Sequence, residues 1–131
     1  MSIRVNGIMC VSDVGEDMTF NLDAGSSAKV MTKTSFTFDV KTRSGLEVLK
    51  DGEVFMIFIN GGEVEISGKV QSIDLIEGVL RIKPDSEINV IHQYVGKNKH
   101  NEIVFMEGSN PNNYKLVQHK DTENTKNILG E

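Results

Sequence analysis

The stretch from Gly52 to Lys83 constrains the fold more than any other part of this 131-residue chain. Val54 to Ile59 is an unbroken apolar run, which is typical of a strand that is buried on both faces. Asn60-Gly61-Gly62 comes next, and these residues accept the positive φ angles of a two-residue hairpin turn. The pattern therefore predicts an antiparallel pair of strands at the centre of the protein.

The residues after this turn predict two more strand segments. Apolar side chains alternate with charged ones, as in a strand with one dry face; the positions are Glu63, Val64, Glu65, Ile66, Lys69 and Val70. Gly68 lies within this run, where a missing side chain lets a long strand bend, and Glu77-Gly78 is expected to turn the chain into a third strand. We therefore expect a mostly β fold, a single small antiparallel β-barrel or sandwich with an SH3-like or OB-like meander at its centre.

The same order of elements resembles the first half of the Sm-like RNA-binding motif. The resemblance includes the Asn-Gly-Gly turn, the bend at Gly68 and Asp74, and it implies a small ring-forming barrel. Glu77 and Gly78 stand where that family has its RNA-contacting asparagine. No binding residue is carried over from the resemblance, and no family is assigned.

Outside the centre, strand patterns dominate. Even positions from Ala28 to Val40 are small, β-branched or aromatic, and a break near Thr34 would divide this run into two strands. Residues 85–95 fit either one short helix or a strand, with the helix slightly favoured. No internal repeat is recognised, so we expect one β-rich domain over residues 1–119 and a polar, flexible tail over residues 120–131.

Composition limits the classes of partner and the location. The formal net charge of −5 and the pI near 5.2 do not favour nucleic acid as the main partner, because phosphate binding depends on clustered Lys and Arg. No apolar stretch approaches the ~20 residues of a membrane span, and the first residues do not resemble a signal peptide. The expected location is the cytoplasm, or a virion that incorporates the protein.

No residue pattern in the sequence indicates catalysis, a cofactor or a metal. His92, His100 and His119 have no short metal-ligand spacing to one another or to Cys10. Cys10 lies in an apolar run and is expected to be a buried structural thiol. We therefore expect a protein without enzymatic activity, with no catalytic, cofactor-binding or metal-binding residues.

Two functional hypotheses remain. The leading one is a protein-interaction module that acts as adaptor, inhibitor or assembly subunit, including a phage or virion structural component, with a protein partner or self-association through uncovered sheet edges. The alternative is a small β-barrel that binds single-stranded nucleic acid or a nucleotide. Its candidate ligand-binding residues are Lys29, Lys33, Arg43, Lys97 and Lys99.

Overall fold

The protein is a parallel β-solenoid of about five turns. The computed structural model describes residues 2–11, 17–110 and 114–120, and none of these residues is helical. Every strand pair among them is parallel. The expected antiparallel barrel or sandwich is therefore wrong, although the expectation of a mostly β protein is confirmed.

The described residues form an 11-stranded sheet. The strands are β1 (Ser2–Val5), β2 (Ile8–Val11), β3 (Thr19–Leu22), β4 (Ser27–Val30), β5 (Thr37–Lys41), β6 (Gly45–Val48), β7 (Glu53–Ile66), β8 (Lys69–Ile82), β9 (Glu87–Val95), β10 (Asn101–Phe105) and β11 (Lys115–Lys120).

Strand pairing divides the solenoid into three faces. Face A contains β1, β3, β5, residues 56–60 of β7, 72–75 of β8, 90–95 of β9, and β11. Face B contains β2, β4, β6, residues 63–66 of β7, 79–82 of β8, and β10. Face C is shorter and contains residues 53–54, 69–70 and 87–88, with Lys33 bridged to Glu53.

The central segment does not form the expected hairpin. β7 is a single 14-residue strand that crosses all three faces, and the Asn60-Gly61-Gly62 sequence turns it from face A to face B. Gly61 has a φ of 111°, and Lys41 of β5 pairs with both Asn60 and Gly61, which marks a bulge. Turn-forming residues here make a corner between two faces and do not reverse the chain, which explains why the SH3-like or OB-like meander is absent.

The core consists of apolar side chains that stack at equivalent positions of successive turns. On face A these include Phe20, Phe38, Ile57, Ile73 and Ile91, which follow one another at intervals of 16 to 19 residues. All five are 5% exposed or less. A structural repeat is thus present, contrary to the expectation from the sequence. The sequence does not reveal it, because each turn repeats its inward positions without repeating residue identities.

Buried hydroxyl groups stabilise the corners. The Ser44 hydroxyl donates to the Lys41 carbonyl over 2.6 Å, and the Ser86 hydroxyl donates to the Lys83 carbonyl over 2.7 Å. The same two carbonyls also accept from the Ser44 and Ser86 N–H groups, at 3.0 and 3.2 Å, so each serine closes its turn with two hydrogen bonds.

Several local expectations have clear outcomes. The run from Ala28 to Val40 is divided between β4 and β5, which confirms the break near Thr34. The helix considered for residues 85–95 is wrong, because residues 87–95 form β9. Cys10 is exposed, since it points outward from β2 beside Lys29, and not buried as expected. Nearly all of the expected flexible tail, residues 121–131, lies outside the described residues.

Candidate assembly interface at the solenoid ends

Among the described residues, the core of the solenoid is open at both ends. One column of inward side chains on face A runs from the first described strand to the last; its members are Ile3, Phe20, Phe38, Ile57, Ile73, Ile91 and Leu116. The inner members are buried, whereas Ile3 is 38% exposed and Leu116 is 45% exposed. Each end therefore presents an apolar residue of the core to its surroundings.

The first two strands also leave one edge of the sheet unpaired within the described residues. β1 pairs only with β3, and β2 pairs only with β4. The Val5 carbonyl accepts from the Asp23 N–H at 3.0 Å, so Val5 directs its main-chain polar groups toward β3. In a parallel strand, the N–H and C=O groups of one residue point to one side and those of the next residue point to the other. The N–H and C=O groups of Arg4 therefore point toward the unpaired edge.

The same reasoning applies to β2. The Val11 carbonyl accepts from the Met31 N–H at 2.9 Å, which places the main-chain groups of Val11 on the β4 side and those of Cys10 on the unpaired side. Ile8, on the outer surface of β2, is 86% exposed. A row of unpaired N–H and C=O groups beside apolar side chains is a template for pairing with another strand.

Polar contacts on the outer surface hold β1 in place. The Arg4 guanidinium donates to the Asp23 carboxylate from Nη2 at 2.9 Å and from Nε at 3.1 Å. The Asn21 amide donates to the Ser2 hydroxyl over 2.8 Å. Exposed ion pairs of this kind contribute at most about 1 kcal/mol, so these contacts orient β1 more than they stabilise it.

Beside the apolar column, the interior of the other end of the solenoid is polar. At the second inward position of face A, Leu75 is followed by Gln93 and then by Gln118. The Gln118 amide donates to Gln93 at 3.1 Å, and the Gln93 amide donates to Asn101 at 2.9 Å. Asn101 in turn donates to the carbonyls of Ile76 and Tyr94 at 2.9 and 2.7 Å. This network links the exposed Gln118 to partly buried polar groups where the apolar core stops.

A histidine pair lies on the outer surface at this end. His92 Nδ1 and His119 Nε2 are 2.8 Å apart, and the Tyr94 ring stacks on the His119 ring with centroids 4.7 Å apart. Asp74 on β8 faces the same pair. Burial raises the pKa of the Asp74 carboxyl above its usual value, and the two imidazoles oppose that shift.

The five basic residues predicted as a ligand site lie on four separate parts of the coil, because Lys97 and Lys99 share one loop. Lys29 is on the outer surface of face B, 3.9 Å from a Glu47 carboxylate oxygen, and Lys33 pairs with Glu53 at the edge of face C. Arg43 occupies the corner between β5 and β6 with a φ of 63°. Lys97 and Lys99 belong to the loop between β9 and β10. No two of these residues are partners in the strand register, so nucleic-acid binding by them stays a prediction.

Within the described ranges, no group of three or more His, Cys, Asp or Glu side chains could hold a metal ion. The part of the chain that the structure describes also has no helix able to span a membrane.

The open ends and the histidine pair were not identified from the sequence. The signal that would have located the ends was the interval of 16 to 19 residues between inward positions such as Phe20, Phe38 and Ile57, because such a period indicates a solenoid. The histidine pair had no comparable signal. Its members are 27 residues apart, and only the register of β11 on β9 brings them together.

Comparison with known proteins gives no further guide to function: no family model, no curated protein and no solved structure matches this chain.

Proposed function

We propose that this protein is a non-enzymatic assembly subunit that binds further copies of itself through the ends of its solenoid. The observation that carries this proposal is the open core column, with Ile3 exposed at one end and Leu116 at the other. Of the roles expected from the sequence, adaptor, inhibitor and assembly subunit, the assembly role is the one that requires complementary surfaces on two copies of one chain.

The direction of the strands favours a head-to-tail arrangement. β1 and β11 both belong to face A and run in the same direction through the continuous series of parallel pairs. A second copy whose β1 follows β11 of the first would continue the parallel ladder, and its Ile3 would stack on Leu116. Such a heterologous contact leaves a free site at each end, so assembly gives open chains and not closed dimers.

The expected contact is weak. It joins one short strand pair and buries two partly exposed aliphatic side chains, each of which contributes at most about 1.5–3 kcal/mol on full burial. An interface of this size is below that of stable complexes. Association should therefore depend steeply on protein concentration.

A proline in β1 tests the proposal. Arg4→Pro removes a main-chain N–H that points toward the unpaired edge, without removing a hydrogen bond to β3. Arg4→Ala is the matched control, because it loses the same ion pair with Asp23 but keeps the N–H. Sedimentation velocity should show the mean mass of the wild type and of Arg4→Ala rising with concentration, while Arg4→Pro stays monomeric.

Two results would contradict this function. The first is a wild type that stays monomeric at all concentrations. The second is an Arg4→Pro variant that associates as strongly as Arg4→Ala although circular dichroism shows both to be folded.

A further inference from the structure

We infer that the His92–His119 pair is an acid-sensitive latch, which holds β11 on the solenoid near neutral pH and releases it when both imidazoles are protonated. The release itself follows from the local geometry. Its consequence, loss of the stacking surface at this end of the molecule, rests on the proposed function.

β11 is attached differently from the strands of the middle turns. Those strands are held by inward aliphatic or aromatic residues such as Ile57 and Ile73, which are fully buried. The corresponding residue of β11, Leu116, is 45% exposed. Among the described residues, β11 pairs on one side only, with β9.

Polar side-chain contacts replace the missing apolar packing. Gln118 bonds to Gln93 on the inner side, and His119 bonds to His92 on the outer side. Tyr114, just before β11, packs against the core and lies 2.8 Å from the Ser86 hydroxyl, so it anchors the start of this segment. Beyond Tyr114, Leu116 is 45% exposed, and the loss of one polar contact should increase how often β11 detaches.

The hydrogen bond between the two imidazoles requires an acceptor nitrogen. His92 Nδ1 and His119 Nε2 are 2.8 Å apart, so one nitrogen carries the proton and the other accepts it. This remains true when one ring is protonated and positively charged. When both rings are protonated, both nitrogens are donors, the bond is lost, and two like charges face each other.

The surrounding charges do not prevent this opening. Asp74 of β8 is the carboxylate that faces the pair, and Tyr94 of β9 presents its ring to His119. Lys115 and Lys120, at the ends of β11 itself, add positive charge. One carboxylate offsets one imidazolium. Because the pKa of Asp74 is raised, its negative charge is also lost earlier in acid than that of an ordinary aspartate.

Hydrogen exchange measured by mass spectrometry tests the latch directly. Protection of residues 115–120, corrected for intrinsic exchange, should fall about tenfold or more between about pH 7.5 and about pH 5.0, the range in which histidine changes charge. Protection of β5 should not change. A wild type whose β11 protection is the same at both pH values would overturn the latch.

Variants identify the groups responsible. His119→Gln and His92→Gln each remove one titratable ring, so the protection of β11 should no longer depend on pH in either variant. His100→Gln is the matched control, because His100 is an exposed histidine in the loop before β10, and it should keep the pH dependence. Full pH dependence in both His119→Gln and His92→Gln would assign the effect to other groups and overturn the proposal.

Sedimentation at the two pH values separates the latch from the proposed function. Association at pH 7.5 that weakens at pH 5.0 in parallel with exchange supports the regulatory role. Association that persists unchanged while β11 exchanges rapidly would overturn that role. A protein that associates at neither pH would contradict the proposed function, and hydrogen exchange would still decide whether the latch exists.

Discussion

Several glycines of this solenoid are required because main chains of successive turns approach closely. A Cβ atom on Gly68 would lie 2.3 Å from the carbonyl oxygens of both Gly52 and Leu49. A Cβ atom on Gly78, which has a φ of 114°, would lie 2.1 Å from the Gly62 oxygen. Neighbouring main chain cannot move aside without breaking the ladder, so these positions exclude any side chain.

We expect Gly68→Ala to lower the free energy of unfolding by about 1–3 kcal/mol or more, the cost of forcing extra volume into a packed site. Gly45→Ala is the matched control, because its new Cβ would meet only the Glu63 oxygen at 3.7 Å, an ordinary contact. Urea denaturation of both variants measures the difference. Equal stability of the two variants would contradict the close approach at Gly68.

The raised pKa of the Asp74 carboxyl makes the contribution of this residue to stability depend on pH. A carboxyl whose pKa is higher in the folded state binds its proton more tightly there, so its contribution to stability becomes less favourable as the pH rises through that pKa. Asp74→Asn should therefore raise the thermal midpoint at pH 8, and the gain should shrink toward pH 4. The exposed Asp51→Asn should not reproduce this pattern, and a gain that grows in acid would contradict it.

At the scale of elements, β7 and β8 show what the sequence could and could not predict. The two-residue alternation correctly places Val64, Ile66 and Val70 inward. Alternation is the same in parallel and antiparallel strands, however, and a Gly-Gly corner resembles a hairpin turn. The predicted antiparallel direction of pairing therefore depended on the assumed hairpin turn, and this prediction was wrong. The interval of 16 to 19 residues between inward positions of successive turns was the feature that indicated a parallel solenoid.

Stability within an element should come from the core side and not from the charged outer side. Ile73→Ala removes a fully buried side chain and should cost about 2–5 kcal/mol. Arg81→Ala on the same strand removes an ion pair with Glu63 at 2.8 Å and should cost less than about 1 kcal/mol. Chemical denaturation compares them. A larger loss for Arg81→Ala would show that the outer charges, and not the stacked core, stabilise the coil.

In the whole molecule, stacking one turn on the next covers the core of the interior turns more completely than that of the two terminal turns. Interior turns are covered on both sides, so their stability is close to a sum of repeated neighbour contacts. Within the described ranges, each terminal turn has a neighbour on one side only, and the two turns expose Ile3 and Leu116 of a column that is otherwise buried. Self-assembly would give each terminal turn a second neighbour.

Disulfide crosslinking between copies tests whether the solenoid ends stack head to tail. In the face A register, Ser2 and Lys115 occupy equivalent positions of the first and last strands, so head-to-tail stacking would place them opposite each other on neighbouring copies, within the Cα distance that a disulfide spans. In a Cys10→Ala background, Ser2→Cys combined with Lys115→Cys should give a ladder of covalent oligomers under mild oxidation, and each single cysteine variant should give none. Monomers alone from the double variant, or dimers from Ser2→Cys alone, would contradict head-to-tail assembly.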